Sequence, residues 1–423
     1  MMERLLVENF VGIKKLDIEL KKINILIGPQ ASGKSVCAKL LFYFKDFVHE
    51  IISTAEDNQT KRKLDSFYSG IFKEYFPSEL WGNDNFKIKY EVGNHFIEVA
   101  KSKNSKSRLD LNYSDSYKKE LASLRKIFKK FRDKQADSEG LQNIDLRSYL
   151  RMEIFTHLHN NFGNIVTLSQ VFIPAGRSFF ANLQNNIFSF LSNEIYLDPF
   201  LEQFGSTYEN IKNIRNRVRA DFERNQIKNE IDKLVEEILC GRYVYEKGED
   251  LLEILDGRKI SISNSSSGQQ ETLPLAIMLS TLPFLSLHPS GQTVYIEEPE
   301  AHLFPNAQRN VVELIATVFN YRRERFQFVI TTHSPYILTA INNLLQAGLI
   351  YRESNLEQSN FKKLQSIMPQ DKALNIEDIA VYSLENGTCK TIISEETGLI
   401  DTNIIDKVSD DLAIEFDKLL EFT

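Results

Sequence analysis

The fold of this chain is decided by residues 23–35, Ile23-Asn24-Ile25-Leu26-Ile27-Gly28-Pro29-Gln30-Ala31-Ser32-Gly33-Lys34-Ser35. The apolar run at its start predicts a buried strand, because continuous apolar stretches are typical of strands that are covered on both faces. Residues 36–47 carry a helical pattern. Residues 28–35 satisfy the spacing G-x-x-x-x-G-K-[ST], and a strand before it with a helix after it is the context that gives this spacing a meaning.

This loop predicts a site for nucleotide phosphates. Glycines let backbone N–H groups turn inward on the phosphates, and the N-terminus of the following helix adds a partial positive charge. Lys34 is expected to reach the β and γ oxygens, and Ser35 is expected to ligate Mg²⁺. The predicted nucleotide contacts are Gly28, Pro29, Gln30, Ala31, Ser32, Gly33, Lys34, Ser35 and Val36.

A second motif, VYIEEPEAHL at residues 294–303, places two adjacent carboxylates after a predicted strand. The C-terminal edge of such strands is where open α/β sheets bind ligands. Because side chains alternate along a strand, we expect Glu297 to face the metal and Glu298 to accept a proton from the attacking water. Two glutamates after a strand are also typical of a solvated strand end, so this prediction depends on the phosphate loop.

Two further segments are ambiguous by themselves. Ser267, Gly268 and Gln269 lie in SSSGQQE, a serine-rich turn of the kind that caps a helix, here an apolar helix predicted over residues 269–287. His333 follows the predicted strand 326–331, just before Pro335. A histidine in this place also fits a purely structural role.

The four motifs in this order resemble the ABC ATPase superfamily, and more closely its branch around SMC, RecF and the overcoming-lysogenisation-defect (OLD) ATPases. Residues 7–35 are similar to the opening strands and Walker A motif of that branch. SSSGQQE is similar to its signature motif, IEEPEAHLFP (296–305) to its Walker B motif and D-loop, and TTHSPYIL (331–338) to its switch-histidine segment. The resemblance covers residues 1–50 and 240–345.

The resemblance implies an α/β fold, namely an ABC-type P-loop NTPase head with a mixed central sheet and an antiparallel β subdomain, plus a helical insertion lobe. It implies ATP and Mg²⁺ as cofactors, with Ser35 and Glu297 at the metal and Glu298 and His333 as catalytic residues. It also implies a head-to-head homodimer or a higher oligomer. Ser267, Gly268 and Gln269 of one copy would close over the γ-phosphate that Lys34 of another copy holds.

The sequence departs from the family pattern at two positions. Glu297 replaces the usual Walker B aspartate, and Gln269 replaces the second signature glycine. The candidates for a Q-loop glutamine are Gln170 and Gln184. In the motif FIPAGRS at residues 172–178, Arg177 is expected either to approach phosphate or the dimer partner, or to form a structural salt bridge.

The pattern divides the chain into three parts. Residues 1–115 are predicted to hold Walker A and antiparallel strands, residues 116–240 a mainly helical insertion with a strand near 166–174, and residues 241–423 the other motifs, a hairpin at Asn386-Gly387 and a C-terminal helix. About 230 residues separate Ser35 from the signature. They lack the heptads of an SMC arm.

Composition narrows the class of protein. The chain has 423 residues, 42% of them hydrophobic, and a net charge of -7. Cys37, Cys240 and Cys389 are far apart and odd in number, which argues against a disulfide framework. Because neither a secretory signal nor an apolar run of membrane-spanning length is found, we expect a cytoplasmic protein without membrane contact.

The long insertion and the EEPEAHL motif do not resemble transporter heads, which favours a stand-alone ATPase over a transporter subunit. Ninety residues follow His333, and they contain no Asp-x-Asp pair of the kind that OLD nucleases use in their Toprim domain. The arrangement resembles the ATPases of two-gene antiphage systems such as PARIS or Septu, in which a separate effector, a nuclease or toxin, does the damage. The expected trigger is a nucleic acid or a phage protein.

Two alternatives stay open at this point: a RecF-like DNA-repair ATPase and a nucleotide-locked scaffold with negligible turnover. Residues 101–134 contain twelve Lys or Arg against four Asp or Glu. This segment fits either a phosphate-backbone contact or the solvated exterior of a helix.

Overall fold

The structure is a computed structural model that describes residues 2–102, 108–136, 143–163, 168–181, 197–218, 226–285, 291–352, 357–401 and 407–420. Its strands are β1 (Glu3–Phe10), β2 (Ile13–Leu20), β3 (Ile23–Ile27), β4 (Lys87–Val92), β5 (His95–Lys101), β6 (Leu109–Tyr113), β7 (Ser169–Ile173), β8 (Arg242–Glu246), β9 (Glu249–Glu253), β10 (Lys259–Ser261), β11 (Gln292–Glu297), β12 (Phe326–Thr332), β13 (Ile379–Glu385) and β14 (Thr388–Thr391). Its α-helices are α1 (Lys34–Lys45), α2 (Phe47–Glu56), α3 (Lys61–Tyr75), α4 (Asp115–Ala136), α5 (Asn143–Phe162), α6 (Pro199–Val218), α7 (Gln226–Leu239), α8 (Ser267–Thr281), α9 (Pro305–Tyr321), α10 (Pro335–Arg352), α11 (Gln358–Ile367) and α12 (Lys407–Leu420).

One mixed sheet organises the described part of the chain, with the strand order β6-β5-β4-β1-β2-β14-β13-β3-β12-β11-β7. Strands β13, β3, β12, β11 and β7 are parallel to one another, whereas β1, β2, β4, β5 and β6 form antiparallel pairs among themselves. The β13–β14 hairpin joins the two halves, because β14 also runs beside β2. The predicted mixed sheet with an antiparallel subdomain is therefore confirmed.

The central parallel strands are buried along their whole length. Every residue of β3, β11 and β12 is buried, as expected for strands with helices on both faces of the sheet. By contrast, β2 alternates between buried and exposed positions over most of its length, with its apolar side chains on one face. The parallel strands bring their C-terminal ends, and the loops that follow them, to one edge of the sheet.

Two apolar clusters cover the sheet. One contains aromatic side chains of α1 and α2, such as Phe42 and Phe47, together with buried residues of α4 and α5. The other contains buried side chains of α6, α7, α8, α9 and α10. The helices between residues 116 and 240 are thus divided between the two apolar clusters. The limits of the helical insertion at residues 115 and 240 remain a prediction.

The helix after the signature is shorter than predicted. It ends at Thr281, and a 3₁₀ turn at Leu282–Phe284 follows it. Pro283 lacks the N–H that a further helical turn needs, which accounts for the early end. In the described ranges, no helix is both long and apolar enough to cross a membrane.

Candidate functional site

The loop of residues 28–33 connects β3 to α1 at the C-terminal edge of the sheet. A Cβ atom on Gly28 would lie 2.1 Å from the Leu384 carbonyl oxygen, so a larger residue does not fit. Gly33 has a φ of 97° and caps α1, and a Cβ there would lie 2.7 Å from Ile13. Both glycines of the motif are therefore required by the packing of the loop against β13 and β2.

The Lys34 side chain lies against this loop. Its Nζ donates to the carbonyl oxygens of Gly28 and Pro29, both at 2.8 Å, and lies 3.3 Å from the Ser32 hydroxyl. Burial lowers the pKa of Lys34, and the carboxylates of Glu298 and Glu300 oppose this shift. A buried ammonium at the start of a helix is a strong attractor for phosphate oxygens.

Glu297 ends β11 with a buried side chain, and burial raises the pKa of its carboxyl group. Its Oε2 accepts a hydrogen bond from the Ala175 N–H at 3.3 Å, and the nearby Ser35 hydroxyl opposes the rise in the pKa. Its Oε1 is buried and has no hydrogen-bond partner among the described residues. A buried carboxylate oxygen without a partner beside a hydroxyl fits Mg²⁺, which prefers such hard oxygen ligands.

Glu298 leaves the strand geometry that the sequence analysis assumed. Its φ is 43°, in the left-handed region, while its N–H still donates to the Thr331 carbonyl at 2.9 Å. The side chain is 37% exposed, and its Oε1 lies 3.0 Å from His333 Nε2. The two adjacent glutamates therefore differ in environment, since one is buried and the other opens to solvent.

His333 joins the phosphate loop to Glu298. Its Nδ1 lies 3.3 Å from Lys34 Nζ, and its Nε2 faces Glu298. The backbone N–H of His333 donates to Glu300 Oε1 at 2.6 Å. The structure thus places the His333 imidazole between Lys34 and Glu298, within reach of both. It also brings Glu300 to this site, a residue that the sequence analysis did not name as a site residue.

The signature segment begins α8. Ser266 is the N-cap residue, and it forms a capping box with Gln269, whose amide also donates to the Leu239 carbonyl at 2.7 Å. This gives a physical reason for glutamine at position 269, because a glycine there would supply neither bond. A Cβ on Gly268 would lie 2.7 Å from the His302 carbonyl oxygen, and Ser267 is exposed.

Arg177 is fully buried and lies behind this site. Its guanidinium donates to the carbonyl oxygens of Glu297 at 2.7 Å and Glu298 at 3.1 Å, and it pairs with Glu271 of α8 at 3.4 Å. Of the two readings of Arg177, the structural salt bridge is the one found. This residue ties β11 to the signature helix, and the motif FIPAGRS is its signal in the sequence.

Of the two Q-loop candidates, the described residue Gln170 has its side chain engaged elsewhere. The Gln170 amide donates to the Phe42 carbonyl at 3.0 Å, and its oxygen accepts from the Tyr295 hydroxyl at 2.7 Å. Both ends of this amide are therefore engaged by partners beneath the sheet surface. Gln184 lies outside the described residues.

A phosphate loop between a parallel strand and a helix, a histidine after the neighbouring strand β12 and paired glutamates at the end of β11, one strand further, define a P-loop ATPase head of the ABC type. The family model described as AAA ATPase domain (AAA_15) matches residues 1–338. The chain belongs to this family.

Individual relatives are similar over shorter stretches or at lower levels. The retron Vc95 probable ATPase of Vibrio cholerae serotype O1 biovar El Tor is 30% identical over 101 residues, which is 22% of this chain and 19% of that relative's length. The match therefore spans about a fifth of the relative.

Solved structures also align over nearly the whole chain. An SMC head bound to the C-terminal winged-helix domain of ScpA is 13% identical, with a TM-score of 0.44 and coverage of 94% of this chain and 99% of that one. The recombination mediator protein RecF is 14% identical, with a TM-score of 0.33, 93% of this chain and 98% of that one.

Proposed function

We propose that this protein hydrolyses ATP at a site shared by two copies of the chain, and that this assembly controls a separate effector protein in antiphage defence. The observation that supports hydrolysis best is the line from Lys34 through His333 to Glu298. It places a cation for phosphate, an imidazole and a carboxylate within hydrogen-bonding reach of one another.

The residues divide the chemistry as follows. Lys34 exchanges its loop carbonyls for the β and γ oxygens of ATP, and backbone N–H groups of the phosphate loop, which Pro29 lacks, bind the phosphates. Ser35 and Glu297 hold Mg²⁺, which supplies positive charge against the triphosphate. Glu298 takes the proton of the attacking water, and His333 keeps that carboxylate and the γ-phosphate in register.

Two exposed aromatic residues support a second copy as the partner. Phe304 is 76% exposed and Tyr336 is 54% exposed. One chain of hydrogen bonds joins the backbone segments that carry them: Gln308 donates to the Leu303 carbonyl at 2.9 Å, the Ser334 hydroxyl donates to Gln308, and the Tyr336 N–H donates to Ser334. Exposed aromatic side chains are typical of protein interfaces. Contact between two copies through Phe304 and Tyr336 would bring Ser267 and Gly268 of one copy over the phosphates bound to the other.

The test is the variant Glu298→Gln with ATP and Mg²⁺. We expect phosphate release to fall by about a hundredfold or more, because a general base is lost, while ATP binding persists. The molar mass of the Glu298→Gln variant in solution should then be that of a dimer with ATP and that of a monomer with ADP. Glu324→Gln, an exposed carboxylate paired with Lys22, is the matched control. A Glu298→Gln protein that stays monomeric with ATP would contradict the shared site.

The effector assignment rests on the resemblance to two-gene antiphage systems and on the local similarity to a retron ATPase. We expect the proposed effector, encoded by the adjacent gene, to co-purify with this chain. The amount that co-purifies should differ between ATP and ADP. If that protein does not co-purify with this chain in the presence of either nucleotide, this part of the proposal is wrong.

A nucleic-acid role is the second candidate, favoured by α4. Leu121, Leu124 and Phe128 of α4 are buried, whereas Lys126 and Lys129 face solvent. A DNA-stimulated ATPase would lose stimulation with rising salt and in Lys126→Glu/Lys129→Glu. The third candidate, a locked scaffold, predicts the same low rate for wild type and Glu298→Gln.

A further inference from the structure

Glu300 lies in the turn between β11 and α9, two residues after the proposed base. One of its carboxylate oxygens, Oε1, accepts two hydrogen bonds: from the Thr332 hydroxyl at 2.8 Å and from the His333 N–H at 2.6 Å. Hydrogen bonds to an ionised carboxylate are stronger than neutral ones. The carboxylate therefore fixes the chain at the point where β12 ends.

This point decides where the His333 imidazole lies. His333 follows the last residue of β12, so its N–H has left the ladder that orders the strand. The Thr332 hydroxyl extends the contact, because it accepts the Ser334 N–H at 3.0 Å while donating to Glu300. The residues on the two sides of the histidine, Thr332 and Ser334, are thus tied to one carboxylate, the first directly and the second through the Thr332 hydroxyl.

The turn that carries Glu300 also contacts the signature helix. The Glu300 carbonyl accepts the Leu303 N–H at 3.0 Å, and the His302 carbonyl between them is the group that excludes a side chain at Gly268. The backbone of this turn therefore meets α8, while its carboxylate meets the histidine segment.

We infer that Glu300 is a positioning residue that holds His333 between Lys34 and Glu298 for ATP hydrolysis. The inference rests on the proposed function. Glu300 does not reach the reacting atoms in this assignment, because its hydrogen bonds go to the backbone and hydroxyl of the β12 terminus. Its removal should therefore lower the rate through the position of His333, and the double variant separates this from the electrostatic influence of the carboxylate on Lys34.

The experiment measures kcat for phosphate release and the Kd for ATP in wild type, Glu300→Ala, His333→Ala and the double variant. We expect Glu300→Ala to lower kcat by about tenfold or more, since misplacement of a reacting group by an ångström is costly, with ATP Kd changed less than about twofold. Glu300→Gln keeps an acceptor oxygen and should retain most of the rate. Glu377→Ala, at an exposed carboxylate, is the matched control.

The double variant decides the mechanism. If Glu300 acts through His333, Glu300→Ala/His333→Ala is no slower than His333→Ala. A further loss equal to that of Glu300→Ala alone overturns the inference, as does a wild-type rate in Glu300→Ala. Thr332→Val removes one donor and is the milder variant if Glu300→Ala does not fold. In the His333→Ala variant, Thr332→Val should not lower kcat further. A further loss again overturns the inference.

Wild-type protein that binds ATP but releases no phosphate overturns the proposed function itself, and this inference with it. That outcome is distinct from an active wild type with an indifferent Glu300→Ala, which overturns only the role of Glu300.

Discussion

Lys34 Nζ lies 3.3 Å from His333 Nδ1, although the two residues are 299 positions apart in the chain. The contact follows from the sheet, because β3 and β12 are parallel neighbours and Ile27 pairs with Thr332 at their ends. Each strand then releases its functional residue at the same edge. The phosphate loop and the switch histidine meet there even though no local pattern connects them.

Lys34→Ala should weaken ATP binding. The variant removes a charge-assisted contact worth about 1.5–3 kcal/mol, which corresponds to roughly tenfold to a hundredfold in Kd. Isothermal titration calorimetry with ATP measures it directly. Lys61→Ala, at an exposed lysine paired with Asp65, should bind as the wild type does. Equal affinity of Lys34→Ala and wild type would remove the phosphate assignment.

Mixing two inactive variants should restore activity. Lys34→Ala lacks the phosphate contact, and Ser267→Arg blocks closure from the opposing copy. In a mixed two-fold dimer, one site combines an intact Lys34 with an intact Ser267, so about a quarter of the wild-type rate should return if the sites are independent. Phosphate release is measured before and after mixing. Two Lys34→Ala preparations mixed together are the control, and a mixture as inactive as its components would show that the site is not shared.

Arg177→Ala should destabilise the fold. It leaves the Glu271 carboxylate buried without its cationic partner and removes donors from the Glu297 and Glu298 carbonyls. Breaking a buried pair of this kind costs about 3–5 kcal/mol, visible as a lower midpoint of chemical denaturation. Arg258→Ala, where the side chain is 73% exposed, should leave the midpoint unchanged. A wild-type midpoint in Arg177→Ala would be inconsistent with the tie between β11 and α8.

Glu50 should make stability depend on pH. Burial, with a contribution from Asp46, raises the pKa of Glu50 from 4.5 to about 7. Because the folded pKa is raised, the native state binds the proton more tightly, and this stabilisation is present below the unfolded pKa and lost as pH rises through about 7. Partial exposure limits the effect to about 1 kcal/mol.

The measurement compares the free energy of unfolding of wild type and Glu50→Gln between pH 5 and pH 8. Glu50→Gln should lose less stability than wild type over this interval. Glu56→Gln, at an exposed position of the same helix, should follow the wild-type curve. Parallel curves for wild type and Glu50→Gln would exclude the effect.

Several elements were predictable because their signals are local. The apolar run before Gly28 predicts β3, and the Asn386-Gly387 turn predicts the β13–β14 hairpin, as found. The strands before Glu297 and His333 were predicted for the same reason, since short apolar runs bounded by turn residues mark buried strands. The extent of α8 was not predictable from apolar character alone, because Pro283 and the turn at Leu282–Phe284 end it early.

Other features depend on contacts between distant segments. Arg177 and Glu271 are 94 positions apart, and nothing in either local pattern indicates that they pair beneath the Walker B motif. Gln269 departs from the family glycine, and its side-chain bonds to the Ser266 N–H and the Leu239 carbonyl give that departure a reason. The left-handed backbone at Glu298 is likewise absent from any strand-alternation argument.

Residue spacing and apolar periodicity were enough to predict the phosphate loop, the order of the motifs and the strands that carry them, because both signals act over a few neighbouring positions. The burial of Glu297 beside a Glu298 that opens to His333, the structural role of Arg177 and the contact of Glu300 with the histidine segment became evident from the folded chain alone. Those outcomes depend on which strand ends become neighbours and on which polar groups must find partners away from water, and both conditions are set by packing across the whole sheet.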